Sequence, residues 1–160
     1  MKKLEQALLL RKEGSLEESN ELFLELVKEN KNDPYLNYQT AWSFDALSKE
    51  AEAVPYYEKS IQNGLEGADL EGALIGLGST YRTLGNYDSA AKVLKEGIEK
   101  FPSNNALRVF YAMVLYNLER YSEGMEILLS LLATTSNDQN IQDYSRAIMH
   151  YSNKLNLLWE

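Results

Sequence analysis

Aligned on Gly85 and Tyr87, residues 71–104 form a 34-residue segment that 105–138 repeats without a gap. This self-similarity constrains the fold more than any other feature, because a short unit unable to bury its own apolar face must stack on copies of itself. With Glu71 as position 1, Leu77, Gly78 and Tyr81 fall at 7, 8 and 11, and Gly85, Tyr87, Ala90, Leu94 and Pro102 at 15, 17, 20, 24 and 32. The next repeat puts Tyr111, Ala112, Leu115, Tyr121, Gly124 and Leu128 at the corresponding sites. Apolar residues recur at spacings of three and four and stop around "LGNY" and "LERY", so each repeat reads as helix, tight turn, helix. Positions 8 and 20 carry Gly78 with Ala90, then Ala112 with Gly124, and Gly97 stands at position 27. Glycine costs about 1 kcal/mol against alanine inside a helix, and small residues recurring in one register predict helices that nearly touch.

Upstream the pattern loosens. Setting Ala53 at position 20 puts Ala41 at 8, Phe44 at 11 and Tyr57 at 24, which makes 35–67 a further repeat, with Ser48 where the turn glycine stands elsewhere. Pro55 falls early in its second helix, where a missing N–H costs least and a slight kink is expected. Residues 2–33 are a degenerate first repeat, in which Gly14 ends one helix and Ser15 with Glu18 predicts a capping box for the next. After 138, Tyr144, Ala147, Ile148 and Tyr151 take up packing positions if the register shifts by two. The spacing Ile141, Tyr144, Ile148, Tyr151, Leu155, Leu158 then predicts one helix over 140–158 that closes the end of the stack on the second helix of the fourth repeat. The same spacing also suits pairing between two chains, with Leu158 and Trp159 buried between them.

The pattern "LG…Y…G-x-Y…A…P" in 71–104 resembles the tetratricopeptide repeat, closely from 71 to 135 and less so before 35 and after 139. The resemblance implies an all-α, right-handed superhelical solenoid of antiparallel helix pairs. About three and a half to four repeats and a C-terminal capping helix would form a single domain over 1–160. It also implies a non-enzymatic scaffold or adaptor, similar to short stand-alone bacterial members of the family, that binds a protein or peptide partner.

Composition narrows the alternatives. With 24 acidic against 16 basic residues the net charge is −8, which disfavours nucleic acid, since phosphate binding draws its affinity from clustered Lys and Arg. No cysteine is present, so thiolate zinc sites and cysteine nucleophiles are absent. The start "MKKLEQALLLRKEG" has too short an apolar run for a signal peptide or a membrane span, so the expected location is cytoplasmic. His150 is the only histidine, which rules out a paired-histidine metal site, and beside Tyr151 on a helix it reads as a surface or packing residue. Glu17, Glu21, Glu25 and Glu29 repeat every four residues without histidine or a turn-borne oxygen cage, as a solvated helix face does. "GLGSTYRTLG" lacks the GK[ST] ending of a phosphate loop. No enzyme, cofactor or metal is expected.

In the family, positions 2, 5, 9, 12 and 13 of the first helices line a concave groove. Carried over by that resemblance, the second repeat presents Tyr35, Tyr38, Trp42 and Asp45. The third presents Ile75, Ser79, Arg82 and Thr83, with Gly72 and Gly76 leaving space. The fourth presents Val109, Met113, Tyr116 and Asn117, with Phe110 adjacent, and Arg146 and Met149 extend the wall. Aromatic, Met and Arg side chains are enriched in protein interfaces, and a peptide segment held by Tyr38, Trp42, Arg82, Met113 and Tyr116 is the expected mode. Self-packing of these side chains is the competing expectation. The Lys/Asn/Arg set by which some family members grip acidic chaperone tails is not matched in either frame. A secretion-type chaperone for an exported protein and a self-assembling structural protein remain alternatives.

Overall fold

The computed structural model describes residues 2–158, all-helical with turns between. Ten helices follow in order: α1 Lys2–Glu13, α2 Leu16–Glu29, α3 Pro34–Ala46, α4 Glu50–Gln62, α5 Gly67–Thr83, α6 Tyr87–Lys100, α7 Asn105–Asn117, α8 Tyr121–Thr135, α9 Gln139–Asp143 and α10 Ser145–Tyr151. They group into two compact bodies, Met1–Val93 and Leu94–Glu160, with the division inside α6.

Within four helix pairs the turn is made the same way. Position 15 is Gly14, Ser48, Gly85 and Glu119, and all four adopt positive φ, between 54° and 88°. In each case the next N–H reaches back across the turn: Ser15 to the Leu10 carbonyl at 2.9 Å, Lys49 to Phe44 at 3.0 Å, Asn86 to Tyr81 at 2.8 Å and Arg120 to Leu115 at 2.9 Å. This Schellman closure satisfies carbonyls that the helix end leaves over. Glycine makes the left-handed residue at no steric cost, whereas Ser48 and Glu119 each carry about 1 kcal/mol of strain. Helix starts are less uniform. Asp33 accepts the Leu36 N–H at 2.8 Å with Pro34 at the first helical position, while Ser15 makes no side-chain cap bond, so the expected capping box is not formed.

In the N-terminal body, α1 packs on α2, α2 on α3, α3 on α4 and α4 on α5. One core gathers Ala41, Phe44, Ala53, Tyr57, Leu65, Ala73 and Leu77. Phe23, with no exposed surface, is the largest fully buried side chain among the described residues. The residues before Glu71 lengthen α5 to a start at Gly67. Pro55 lies inside α4, beyond the first turn where the sequence pattern put it, so its missing N–H forgoes one helical bond.

In the C-terminal body, α7 packs on α8, and α9 and α10 pack on α8. A Cβ on Gly124 would stand 3.0 Å from the Ala112 carbonyl oxygen, so the small residues at positions 8 and 20 do let these two backbones approach. Gly97 receives the Leu107 side chain, whose Cδ2 would meet an added Cβ at 2.6 Å. The single closing helix expected over 140–158 is not formed. The chain breaks at Tyr144, whose N–H bonds Ile141 in a tight turn at 3.2 Å, and helix ends at Tyr151. Ser152, Asn153 and Asn156 are weak helix formers that prefer local side-chain bonds; the Ser152 hydroxyl donates to the Met149 carbonyl at 2.9 Å and Asn156 to Ser122 Oγ at 3.1 Å. The expected seam is therefore open: Tyr144 and Tyr151 are exposed and Leu158 almost fully so. Trp159, assigned to that seam, lies outside the described residues.

The break leaves one face of α8 uncovered. Position 24 is buried in Tyr57 and Leu94 but 40 % exposed in Leu128. Tyr121, Met125, Leu128 and Leu132, spaced four, three and four residues apart on one helix face, are all exposed.

Candidate functional site

The second repeat aligns its expected site residues on one face of α3 by spacings of three and four. Tyr38 and Trp42 stack with ring centres 6.3 Å apart and planes 20° apart, and Tyr38 leans on Tyr57 at 6.3 Å. Trp42 is 47 % exposed. Tyr35 and Tyr38 are half-buried, and both phenols are pushed up, by burial first and then by nearby Asp69.

Gly72 and Gly76 of α5 do not leave open space. An added Cβ on Gly72 would stand 2.3 Å from Tyr38 Oη, and one on Gly76 2.5 Å from Tyr57 Cζ and Oη. Each glycine receives a tyrosine ring of the preceding repeat, so self-packing accounts for part of what the groove pattern assigned to a ligand.

Asp45, expected on the wall, is taken up internally. It accepts Tyr57 Oη at 2.7 Å and Thr80 Oγ1 at 3.0 Å, tying α3, α4 and α5 together. Burial holds its carboxyl above the usual value despite these two bonds, and burial with the Asp45 charge raises the Tyr57 phenol. A carboxyl raised in the folded state favours folding below its unfolded value and loses that contribution as pH rises through the folded one. Asp45→Asn is therefore expected to melt higher than the wild type at pH 7, with the gap between the two curves closing as the pH falls toward about 3.

Ile75, Ser79 and Arg82 are half-buried along α5. Among the described residues Arg82 has no ion-pair partner.

The sequence pattern missed a contributor from the first repeat. Arg11, on α1, places its guanidinium carbon 4.0 Å from the Trp42 ring centre and 5.1 Å from that of Phe23, and its Nη2 donates to Gln39 Oε1. Its Nη1 is buried with no hydrogen-bond partner among the described residues, and burial pulls the group below its ordinary value. Counting back from Gly14 at position 15 puts Arg11 at position 12, a groove position in the family. That count was the available signal.

In the C-terminal body, Met113 and Tyr116 are exposed on α7, Tyr116 by 67 %, and Tyr116 meets Tyr121 edge-on at 5.2 Å. Val109 and Phe110 are half-buried. Asn117 turns inward, its Oδ1 buried without a donor among the described residues. Arg146 is exposed. Met149 does not extend the Met113 wall: it lines a cleft of ≈ 570 Å³ with Ile98, Tyr111, Ile127 and Leu131. Tyr111 and Met113 are two residues apart and so about 200° around α7, which puts that cleft on the other side of the helix.

The family model for the tetratrico peptide repeat matches residues 34–155. The chain belongs to the tetratricopeptide repeat family. As a tetratricopeptide repeat protein it carries a fold for protein–protein interaction, and one that is typically non-catalytic. Solved structures with the same fold include YrrB, described as a tetratricopeptide repeat protein with an unusual peptide-binding site. It has a TM-score of 0.72 and 16 % identity over 95 % of this chain and 77 % of that one. Another is a putative kinesin light chain from Podosopora anserina, described by its nearly identical tetratricopeptide-like repeats, at TM-score 0.69 and 16 % identity over 97 % of this chain and 85 % of that one. No curated protein matches the chain in sequence. Among the described residues no helix is long and apolar enough to cross a membrane.

Proposed function

We propose that this chain is a non-enzymatic adaptor that binds an extended or helical peptide segment of a partner protein along the first helices of its repeats. The observation that carries the reading is Trp42, a large aromatic half-exposed on a helix face whose other rings are packed. Tyr38 and Arg82 accompany it in the N-terminal body, and Met113 and Tyr116 are the contacts proposed in the C-terminal body. Rigid aromatics supply contact area at low entropy cost, and a few residues, most often Trp, Tyr and Arg, carry most of the affinity in a typical interface. The peptide-binding site for which YrrB is described supports the reading by likeness of fold.

A second reading, self-association, is favoured by the uncovered face of α8 at Tyr121, Met125, Leu128 and Leu132. One experiment separates the two. Tagged wild-type chain and the double variant Trp42→Ala, Arg82→Glu are used as bait in native cytosol spiked with untagged chain. A protein retained by the wild type and lost by the variant, whose helicity is unchanged, supports peptide binding. Retention of the untagged copy alone, equally by both baits, sinks that reading in favour of self-association.

A further inference from the structure

Arg11 is a cation without an anion. The guanidinium lies over the ring of Trp42 and that of Phe23, with Tyr35, Tyr38 and Tyr57 nearby, and no carboxylate pairs with it among the described residues. One of its terminal nitrogens is hydrogen-bonded to Gln39 and the other is buried with no acceptor among the described residues. A buried N–H left unmade is costly, and more so on a charged group. Stacking on aromatic rings offsets part of that cost and leaves the edge of the guanidinium unanswered. The N-terminal body is otherwise acidic, with 16 Asp and Glu against 10 Lys and Arg in residues 1–93; Asp69 is near enough to act on Tyr35 and Tyr38, yet no carboxylate among the described residues forms an ion pair with Arg11.

We propose that Arg11 is the seat for a carboxylate of the bound peptide segment, with the exposed Trp42 ring beside it as a contact for the same segment. Beside the guanidinium, Phe23 and Gln39 are buried and Trp42 is exposed, so a ligand reaches it on the Trp42 side. An incoming carboxylate then accepts from the planar fork, a geometry that guanidinium matches with two parallel bonds and ammonium does not. A singly charged carboxylate suits the site better than a phosphate dianion, which the surrounding acidic body repels more strongly. The aromatic rings around Arg11 exclude water, which strengthens the charge-assisted bond once it is made. The inference rests on the peptide-binding reading above, and it adds the ligand's chemistry.

The test selects ligands for the full chain from a random 12-residue peptide library displayed in two formats, with a free C-terminus and as an internal segment. Wild type, Arg11→Gln and Arg11→Lys serve as targets, each checked for helicity. The expected result is peptides enriched in Asp and Glu or in free C-termini, bound at least 10-fold more weakly by Arg11→Gln, with Arg11→Lys between the two. In a Trp159→Phe background the Trp42 emission shifts on binding. For a selected peptide, loss of binding on Glu→Gln change assigns the carboxylate to a side chain, and loss on C-terminal amidation assigns it to the terminus. Should Arg11→Gln not fold, these two peptide changes against the wild type decide alone. Peptides with no acidic requirement, or bound equally by Arg11→Gln, would overturn the carboxylate seat and leave peptide binding standing. Failure to select any peptide on the wild type would overturn both.

Discussion

Gly76→Ala is expected to lower the thermal midpoint by about 6–12 °C, a loss of about 3 kcal/mol at the 2–4 °C per kcal/mol of a chain this size. The added methyl would stand 2.5 Å from Tyr57 Cζ and Oη and 2.8 Å from Cε1. Tyr57 is almost wholly buried in the core it shares with Ala41, Phe44 and Leu77, and its hydroxyl is bonded to Asp45. The ring has nowhere to go without breaking that bond, and breaking it leaves a buried carboxylate with one donor fewer. Gly72→Ala faces a still shorter contact, to Tyr38 Oη, but Tyr38 is only half-buried and its phenol end can swing outward at smaller cost. Circular dichroism melts of both variants give the comparison. The decisive control is Tyr57→Leu, which lacks the atoms in collision: in that background Gly76→Ala should cost under about 1 kcal/mol, because contacting residues are not additive. Equal losses in both backgrounds would mean that the glycine matters for some reason other than the ring it receives.

The same pair of residues shows where a repeat pattern stops being informative. Periodicity locates the turns because the turn is made within six consecutive residues, and position 15 is left-handed in Gly14, Ser48, Gly85 and Glu119 alike. It also locates close helix approach, since a small residue such as Gly124 facing Ala112 is required whatever surrounds it. Which side chain fills the space above a glycine is a matter of two repeats in three dimensions. Gly72 and Gly76 carry no mark in the sequence that says a ligand or a tyrosine will occupy that space. Asp45 sits at a groove position in the count, yet Tyr57 and Thr80 claim it from two other helices. The C-terminal apolar spacing likewise defines a face without defining how far a helix persists, and Tyr144 and the Ser152–Asn153 pair end it early. Arg11 was missed for the opposite reason. The first repeat departs so far from the family pattern that its groove positions carry little weight, although Gly14 fixes the count.

That first repeat is the subject of the other large expected effect: Phe23→Ala should cost about 4 kcal/mol, within the range for removing a fully buried ring, and lower the midpoint by about 8–16 °C. Phe23 has no exposed surface, and it has two roles at once. It fills the core between α1, α2 and α3, where Thr40 Oγ1 reaches toward its carbonyl at 3.5 Å, and its ring is the floor on which the Arg11 guanidinium rests. Alanine there leaves a cavity and removes one face of the stack, so the guanidinium keeps its burial cost and loses part of what offsets it. Phe23→Leu fills most of the volume but has no ring face, and is expected to recover most of the stability and little of the peptide affinity. Were residues 2–29 a loosely attached pair of helices, Phe23→Ala would leave the midpoint of the remaining repeats unchanged and only trim the helical signal at low temperature. A single cooperative loss for alanine, together with the separation of stability from affinity for leucine, would place the degenerate repeat inside both the folding unit and the proposed binding surface.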